Sequence, residues 1–541
     1  MMVEYSQSWT ALAVVELSVV AITAVFVPLW NVCSTFLLEP LRLRRVMGKQ
    51  DVRLAPFNLV FGNAFEIGAH AQSFPETLPL KFDDLEPTAT PQFDLYFSKY
   101  GKRFLYHVGS ETRLVVRDPE MAKEVLFNRM GWYERSPLDL HIFSQVIGKG
   151  MFVVKGEEWE MQRRMLNPCF SNESLKPMVE RMVKSAAQEM RNWEEMAAQA
   201  GGRVEHDVEH DIHIIAYNII SYTAFNEGFD KGKQIYLMQD EIMGHLFAAI
   251  GNPSFWIPGL RLLPTKHATA IAQLNGRTEK LIMELVKDRR EAVQKGERDS
   301  YGDDLLGRML TATERTDGSS HKFILDAVIN NCKNFFFAGS DSAANLTTFS
   351  LLMLANYPEW QDRARKEVLE VFGDNDPCEM NDISRLKIVG MISQEIARIF
   401  AVSPSIARLA VKDCQLGDLF IPKGLVIEIA TLAMHRDPEL WGKDVAEFRP
   451  ERFANGASAA CTHHQAFLPF GAGPRSCIAE KMAWLEVKVV LCMILRRFLI
   501  LPSPKYKHHP HFAMVNRPKY GLPLILEILP QSRSDSIMAE I

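Results

Sequence analysis

The feature that most constrains this chain is the run Phe470-Gly-Ala-Gly-Pro-Arg-Ser-Cys477-Ile-Ala-Glu, which leads into a long apolar segment from Ala483 to Phe498. Gly471 and Gly473 permit backbone geometry that other residues resist, and let the chain pass close to a flat group. A cysteine just ahead of a helix meets free N–H groups and the positive end of the dipole, which predicts a lowered thiol pKa. A thiolate on iron pushes electron density that favours O–O cleavage, which a histidine ligand does less well. Taken alone, a cysteine in a loop is more often a small buried structural residue. Other features of the chain decide between the two.

With 541 residues, 47% hydrophobic and 23% charged, the chain can bury a large core and is not disordered. No Gly/Pro/Ser-rich linker divides it, so the expected organisation is one large catalytic domain over residues 51–541 behind an N-terminal segment, 1–50. The net charge of -5 offers no electrostatic reason to expect a nucleic-acid partner. Eight cysteines lie scattered at 33, 169, 332, 378, 414, 461, 477 and 492 without a single C-x-x-C pair. That argues against a zinc site or a disulfide framework, and for reduced thiols facing the cytosol.

From Trp9 to Leu38 the sequence is largely apolar, and Leu17 to Trp30 carries no charge. About 20 such residues suffice to cross a bilayer. Arg42, Arg44, Arg45 and Lys49 follow, whereas Glu4 is the only charged side chain before the stretch. The charge order predicts an uncleaved single-pass anchor with the C-terminal side in the cytosol; a signal peptide places its basic residues first.

Beyond it, most periodic segments predict helices, including Met182 to Ala200, Gly276 to Lys295, about Lys322 to Tyr357, and Pro358 to Phe372. Strands are predicted at Phe104–His107, Thr112–Val116 and Leu425–Ile429, and loops at Gly296–Asp303 and Thr316–His321. The expected fold class is mainly α with a small β-sheet region.

Three further runs carry chemistry. Glu395 and Arg398 stand at i and i+3 of a helix, by itself an ordinary surface pair. Trp159 and Arg163 share a helix face at i and i+4, by itself a cation–π pair. The run Asn334-Phe-Phe-Phe-Ala-Gly339-Ser340-Asp341-Ser342-Ala343 sits inside the longest helix, where Gly and Ser predict a kink or bulge over a ligand. The alternative there is a close-packed core patch.

The cysteine loop resembles the haem-binding signature of the cytochrome P450 family, with Phe470, Gly473, Arg475 and Cys477 in the family's order and Ala479 where Gly is usual. Glu395-Ile-Ala-Arg398 resembles the family's Glu-x-x-Arg helix, and Phe448-Arg-Pro-Glu-Arg452-Phe453 its downstream partner. Ala338 to Ser342 resembles the oxygen-activation motif, with Ser342 replacing the usual Thr. Within the family, Leu166-Asn-Pro-Cys-Phe and His435-Arg-Asp-Pro-Glu-Leu-Trp-Gly are similar to the plant clan of hormone and terpenoid hydroxylases. The usual Pro-Pro after the Glu-x-x-Arg helix reads Ala401-Val402.

The resemblance implies a P450-like fold behind a transmembrane helix, with haem b as cofactor and Cys477 as its iron ligand. Trp159, Arg163, Arg408, Phe470 and Arg475 would contact the haem, three of these arginines neutralising its two propionates. Glu395, Arg398 and Arg452 would interlock beneath it. Asp341 would relay protons and Ser342 would assist at the oxygen site. The implied activity is a monooxygenase that hydroxylates or epoxidises a lipophilic small molecule such as a terpenoid, plant hormone or fatty acid. Electrons would come from NADPH through an NADPH-cytochrome reductase at the endoplasmic reticulum membrane. Substrate-contacting regions would fall near Pro137–Ile147, Leu246–Phe255, Phe335–Ala338, Ala401–Ser405 and His511–Val515. Asn252 to Leu260 is either a loop dipping into the membrane interface or one packed on the domain. Arg163, Arg164, Lys481, Arg496 and Arg497 would offer the reductase a cationic face. Two other readings stay open: a hydroperoxide isomerase or dehydratase that needs no reductase, which Ser342 motivates, and a catalytically silent haem-binding protein.

Overall fold

The computed structural model of the chain describes residues 30–58, 61–80, 87–128, 130–225, 229–257, 260, 264–314, 321–373, 375–377 and 379–530, with positions 16, 23, 26 and 27. The expected anchor, Trp9 to Leu38, and the loop Thr316–His321 lie largely outside the described residues. Among the described residues, no helix is long and apolar enough to cross a membrane.

Strands form where β-branched and aromatic residues cluster, and they gather into one main sheet. Its members are β1 (Arg53–Leu54), β2 (Arg103–Val108), β3 (Glu111–Val116) and β4 (Tyr133–Arg135), followed later in the chain by β6 and β9. A short strand, β5 (Arg203–Asp207), belongs to a second sheet. Next come β6 (Ile406–Ala410), the hairpin β7 (Cys414–Leu416) and β8 (Leu419–Ile421), and β9 (Val426–Ile429). The last four are β10 (Phe498–Pro502), β11 (Pro510–Ala513), β12 (Val515–Pro518) and β13 (Pro523–Ile528). The main sheet runs β1-β2-β3-β9-β6-β4, and its β4–β6 edge sets Arg135 directly opposite Arg408.

Helices make up most of the rest. In chain order they include α1 (Glu39–Gly48), α2 (Pro119–Phe127), α3 (Gly156–Leu166), α4 (Met178–Gln199), α5 (Val208–Phe225), α6 (Phe229–Ile250) and α7 (Lys266–Gln294). They continue with α8 (Leu305–Glu314), α9 (His321–Asn356), α10 (Pro358–Phe372), α11 (Lys387–Ile399) and α12 (Glu480–Arg497). Helix α10 starts on Pro358, whose fixed φ and missing N–H suit a first turn, and stops at Gly373 with φ 57°.

The long helix α9 runs through the main core, where Phe336, Phe349 and Met353 are buried with Leu485 and Val489 of α12 and Ile392 and Ile396 of α11. The bulge expected near Gly339 is absent, and the helix is α throughout. The hydroxyls of Ser340, Ser342, Thr347 and Ser350 each donate to the carbonyl four residues back, at 2.7 to 2.9 Å, so the poor helix formers are satisfied inside the helix. Gly339 is needed for packing. A Cβ there would lie 2.8 Å from Ile220 Cδ1 of α5.

Candidate functional site

The Gly-rich loop wraps tightly before α12. Cys477 N–H donates to Phe470 O at 2.9 Å, and the Phe470 ring meets Trp484 edge-on. Gly473 has φ 71°, and a Cβ on it would lie 2.1 Å from Leu126 O of α2. Cys477 keeps accessible surface although protein encloses it from most directions. Its thiol corrects the sequence expectation. Burial pushes the thiol pKa up, and this outweighs the Ala479 N–H and Arg163, which pull it down. Helix α12 begins only at Glu480, so no helical turn stands at the sulfur.

Four arginines gather on the same side. Arg163 of α3 donates to Ser476 O at 2.9 Å. The Arg475 guanidinium stacks 4.3 Å from the Trp159 ring centre and donates to Val154 O at 3.0 Å. The cation–π partner of Trp159 is thus Arg475, from the cysteine loop, and not Arg163 on its own helix. Arg408 donates to Ala407 O, and Arg135, its neighbour across β4–β6, lies 3.7 Å over Phe152. Among the described residues, none of the four has a carboxylate within ion-pair distance. The cost shows in their acidities. Burial lowers Arg408 and Arg475 to about 10. Arg135 falls well below the usual range through burial and the charges of Arg408 and Arg475. Buried cations without counter-charges are costly, so this surface suits an anionic ligand.

Arg135 was not expected from sequence. Nothing local marks it; only the pairing of β4 with β6 brings it to Arg408.

Behind the loop, Arg398 forks onto both oxygens of Glu395 at 2.7 and 2.8 Å and donates to His435 O at 3.1 Å. Glu395 also accepts from Arg449 N–H at 2.9 Å and lies 3.5 Å from Arg452. Both Glu395 and Arg398 are fully buried, as the expected interlock requires. On α9, Asp341 faces α5 and is ion-paired at 3.3 Å to His213, while Ser342 donates to Ala338 O at 2.7 Å.

Most of the expected substrate-contacting regions meet. Leu138 and Ile147, Leu246 and Phe255, Phe337 and Met514 fall in one apolar cluster. The Ala401–Ser405 stretch contributes no side chain to that cluster, but Val402 O accepts from Asn516 N–H of β12, two residues beyond Met514. Of the expected cationic face, Arg164 and Lys481 are exposed, whereas the other three arginines are engaged elsewhere. Arg497 pairs with Asp376 and Glu194, and Arg496 with Asp376, because α12 turns its basic end toward those acids. Arg163 turns inward to Ser476.

The cytochrome P450 family model matches residues 84–523. The chain belongs to the cytochrome P450 family. It is 33% identical over 95% of its length to a cytokinin hydroxylase of Arabidopsis thaliana, of which 98% is covered. It is 32% identical over 91% of its length to the 7-deoxyloganic acid hydroxylase of Catharanthus roseus, of which 94% is covered. To cytochrome P450 714C3 of Oryza sativa it is 31% identical over 95% of its length, covering 99% of that protein. This P450 is an oxidoreductase of the monooxygenase type, from a family that binds haem b through a cysteine thiolate.

The residues present fit that cofactor, whose two propionates would meet the four uncompensated arginines. Cys414 fits less well. Cys414 of β7 is buried with its thiol donating to the Tyr133 hydroxyl at 3.3 Å, outside the Gly-rich loop.

Proposed function

We propose that Cys477 is the iron ligand and that the chain oxidises a lipophilic small molecule with electrons drawn from NADPH through a cytochrome reductase. The observation that carries this reading is the convergence of Arg135, Arg163, Arg408 and Arg475, without carboxylate partners among the described residues, on the wall that holds Cys477. When bound, the haem supplies activation of dioxygen. The chain's own residues do the rest. The arginines bind and orient the carboxylates of the cofactor, and Trp159 holds the Arg475 guanidinium flat against its ring. Phe470 and Gly473 keep the cysteine loop against α2 and α12. Asp341 holds or releases a proton at its carboxyl, and Ser342 can turn its hydroxyl from Ala338 O to pass that proton on. Phe337, Leu246, Phe255 and Met514 exclude water around the substrate.

The substrate class follows that apolar wall together with the relatives, one named for a cytokinin and one for 7-deoxyloganic acid. A plant hormone or terpenoid is the best fit. The domain is taken to span residues 51–541 together with α1, whose Leu43 and Met47 are buried in its core. The apolar stretch before Glu39, with Phe26, Val27, Trp30 and Leu38 exposed, supports an anchor in the endoplasmic reticulum membrane that leaves the domain cytosolic.

The test is spectroscopic. The reduced protein with carbon monoxide should show a thiolate-type Soret band, and Cys477→Ala should lose it while Cys414→Ala keeps it. Retention of the band by Cys477→Ala would sink the assignment. Type I spectral shifts across terpenoids, plant hormones and fatty acids then identify the substrate class. Turnover of a hydroperoxide without NADPH would instead favour an isomerase or dehydratase.

A further inference from the structure

Helices α5 and α9 approach so closely that residue 339 has no room for a side chain, its Cβ position lying 2.8 Å from Ile220 Cδ1. Two turns before Ile220 on α5 stands His213, and the close crossing presses it against Asp341 of α9. His213 Nδ1 lies 3.3 Å from Asp341 Oδ1, and Nε2 lies 3.3 Å from Glu209 Oε1, one turn earlier on α5; both are ion-pair contacts, and neither ring nitrogen is aligned for a hydrogen bond. Side-chain exposure rises from 4% at His213 through 13% at Asp341 to 20% at Glu209, so Glu209 is the outermost of the three.

Burial alone would strip the charge from all three groups, and their attraction reverses this. Burial works to lower the His213 pKa, but Asp341 and Glu209 outweigh it and push it up to about 9. Burial works to raise the two carboxyls, but His213 outweighs it and both stay below the ordinary range. The neighbours on every side reinforce the arrangement. Arg517 of β12 acts on both carboxylates, Tyr236 of α6 faces Asp341 and Glu209, and Asp240 lies beyond Tyr236. Tyr217 lies one turn on along α5 and faces Tyr236. On the α4 side, Asp211 is occupied by His206 and Trp193, and α8 contributes the apolar Leu306, Met309 and Leu310.

We propose that His213 is a positioning residue for proton delivery, holding the Asp341 carboxylate against α5 and supplying the proton that Asp341 passes to Ser342. This rests on the monooxygenase reading above and adds a residue to it. The step balances. After a small turn of the ring aligns Nδ1, a proton leaves His213 for Asp341 Oδ1, so an imidazolium and a carboxylate become a neutral imidazole and a neutral acid. This runs against the resting acidities of the pair and is drawn forward as Ser342 takes the proton on. That acid stands one residue from the Ser342 hydroxyl. The imidazole regains its proton from solvent on the Glu209 side.

The test uses the haem-loaded full chain with reductase, NADPH and dioxygen, and no added substrate. Reduction of dioxygen to peroxide consumes one NADPH and one proton per O2, whereas reduction to two waters consumes two of each. The NADPH:O2 ratio therefore reads proton delivery. In the wild type it should fall as pH rises through about 9, where His213 loses its charge. His213→Gln should release several-fold more peroxide at neutral pH and flatten the profile, and His213→Lys, which keeps a cation, should recover part of the ratio. His213→Gln should add nothing to Asp341→Asn. Thermal unfolding gives a second readout, since wild type should melt above His213→Gln near neutral pH and the gap should close above about pH 9. A His213→Gln protein with the wild-type ratio at every pH, or one fully additive with Asp341→Asn, would overturn the proposal. A wild type lacking the thiolate-type band, or oxidising no NADPH with the reductase, would overturn the underlying reading, and this inference with it.

Discussion

Arg408 shows what a residue can cost before its partner arrives. It is buried, its pKa is depressed to about 10 by desolvation, and its guanidinium finds only a neighbouring carbonyl. A depression of that size corresponds to roughly 3 kcal/mol of strain on the cofactor-free fold. Arg408→Leu should therefore raise the melting temperature of apoprotein while speeding haem loss from the loaded protein to a scavenging apoglobin. Equal and parallel changes in both measurements would mean the arginine serves the fold alone. At this scale the sequence offered motifs for Cys477, Arg163 and Arg475, and the fold brings these three to one wall. The sequence was silent on Arg135, whose role comes from strand pairing across a long stretch of chain. His213 left a fainter signal, a lone histidine in the apolar run Ile212-His-Ile-Ile215 with Glu209 four residues before it. That pattern also fits a solvated pair, and only the packing of α5 on α9 turns it inward. The cysteine thiol was misjudged for a related reason, since its raised pKa reflects the surrounding wall more than its place before a helix.

Elements were legible where local chemistry sets their ends. Helix α10 begins at the proline and ends before the glycine that the sequence offers for those tasks. The expected bulge in α9 failed because two compensations are invisible along the chain, namely hydroxyls that bond back within the helix and a partner helix that needs the missing side chain at Gly339. The Glu395–Arg398 pair belongs to this scale too. Exposed on an isolated helix it would contribute a few tenths of a kcal/mol. Fully buried, it ties α11 to His435 O, Glu447 O and the Arg449 N–H, so breaking it strands an uncompensated guanidinium. Glu395→Gln should cost about 3–5 kcal/mol. Denaturant unfolding and the yield of haem-loaded protein measure that loss, and a change below about 1 kcal/mol would show the pair to be as weak as a surface one.

At the scale of the whole molecule, the proposed membrane anchor makes the sharpest demand. Helix α1 is already part of the fold. Leu43 and Met47 are buried in the cluster beneath the main sheet, Arg44 donates to Ala55 O at 2.8 Å, and Arg42 reaches Lys423 O at 2.5 Å. Before α1 the character changes, because Phe26, Val27, Trp30, Leu37 and Leu38 are exposed and Phe36 is the one buried residue of Ser34–Leu38. Exposed apolar surface of that length finds no cover in the domain and is suited to lipid. Removal of residues 1–35, which keeps the buried Phe36, should therefore release the protein from carbonate-washed membranes while leaving its unfolding midpoint and its thiolate-type spectrum unchanged. Residual salt-resistant association would come from exposed apolar side chains such as Phe65 and Phe247, which lie outside the deleted segment. A full-length chain that carbonate extracts would refute the anchor. A truncated chain that melts well below the full-length one would instead show the segment packed into the fold, contrary to the exposure of its aromatic residues.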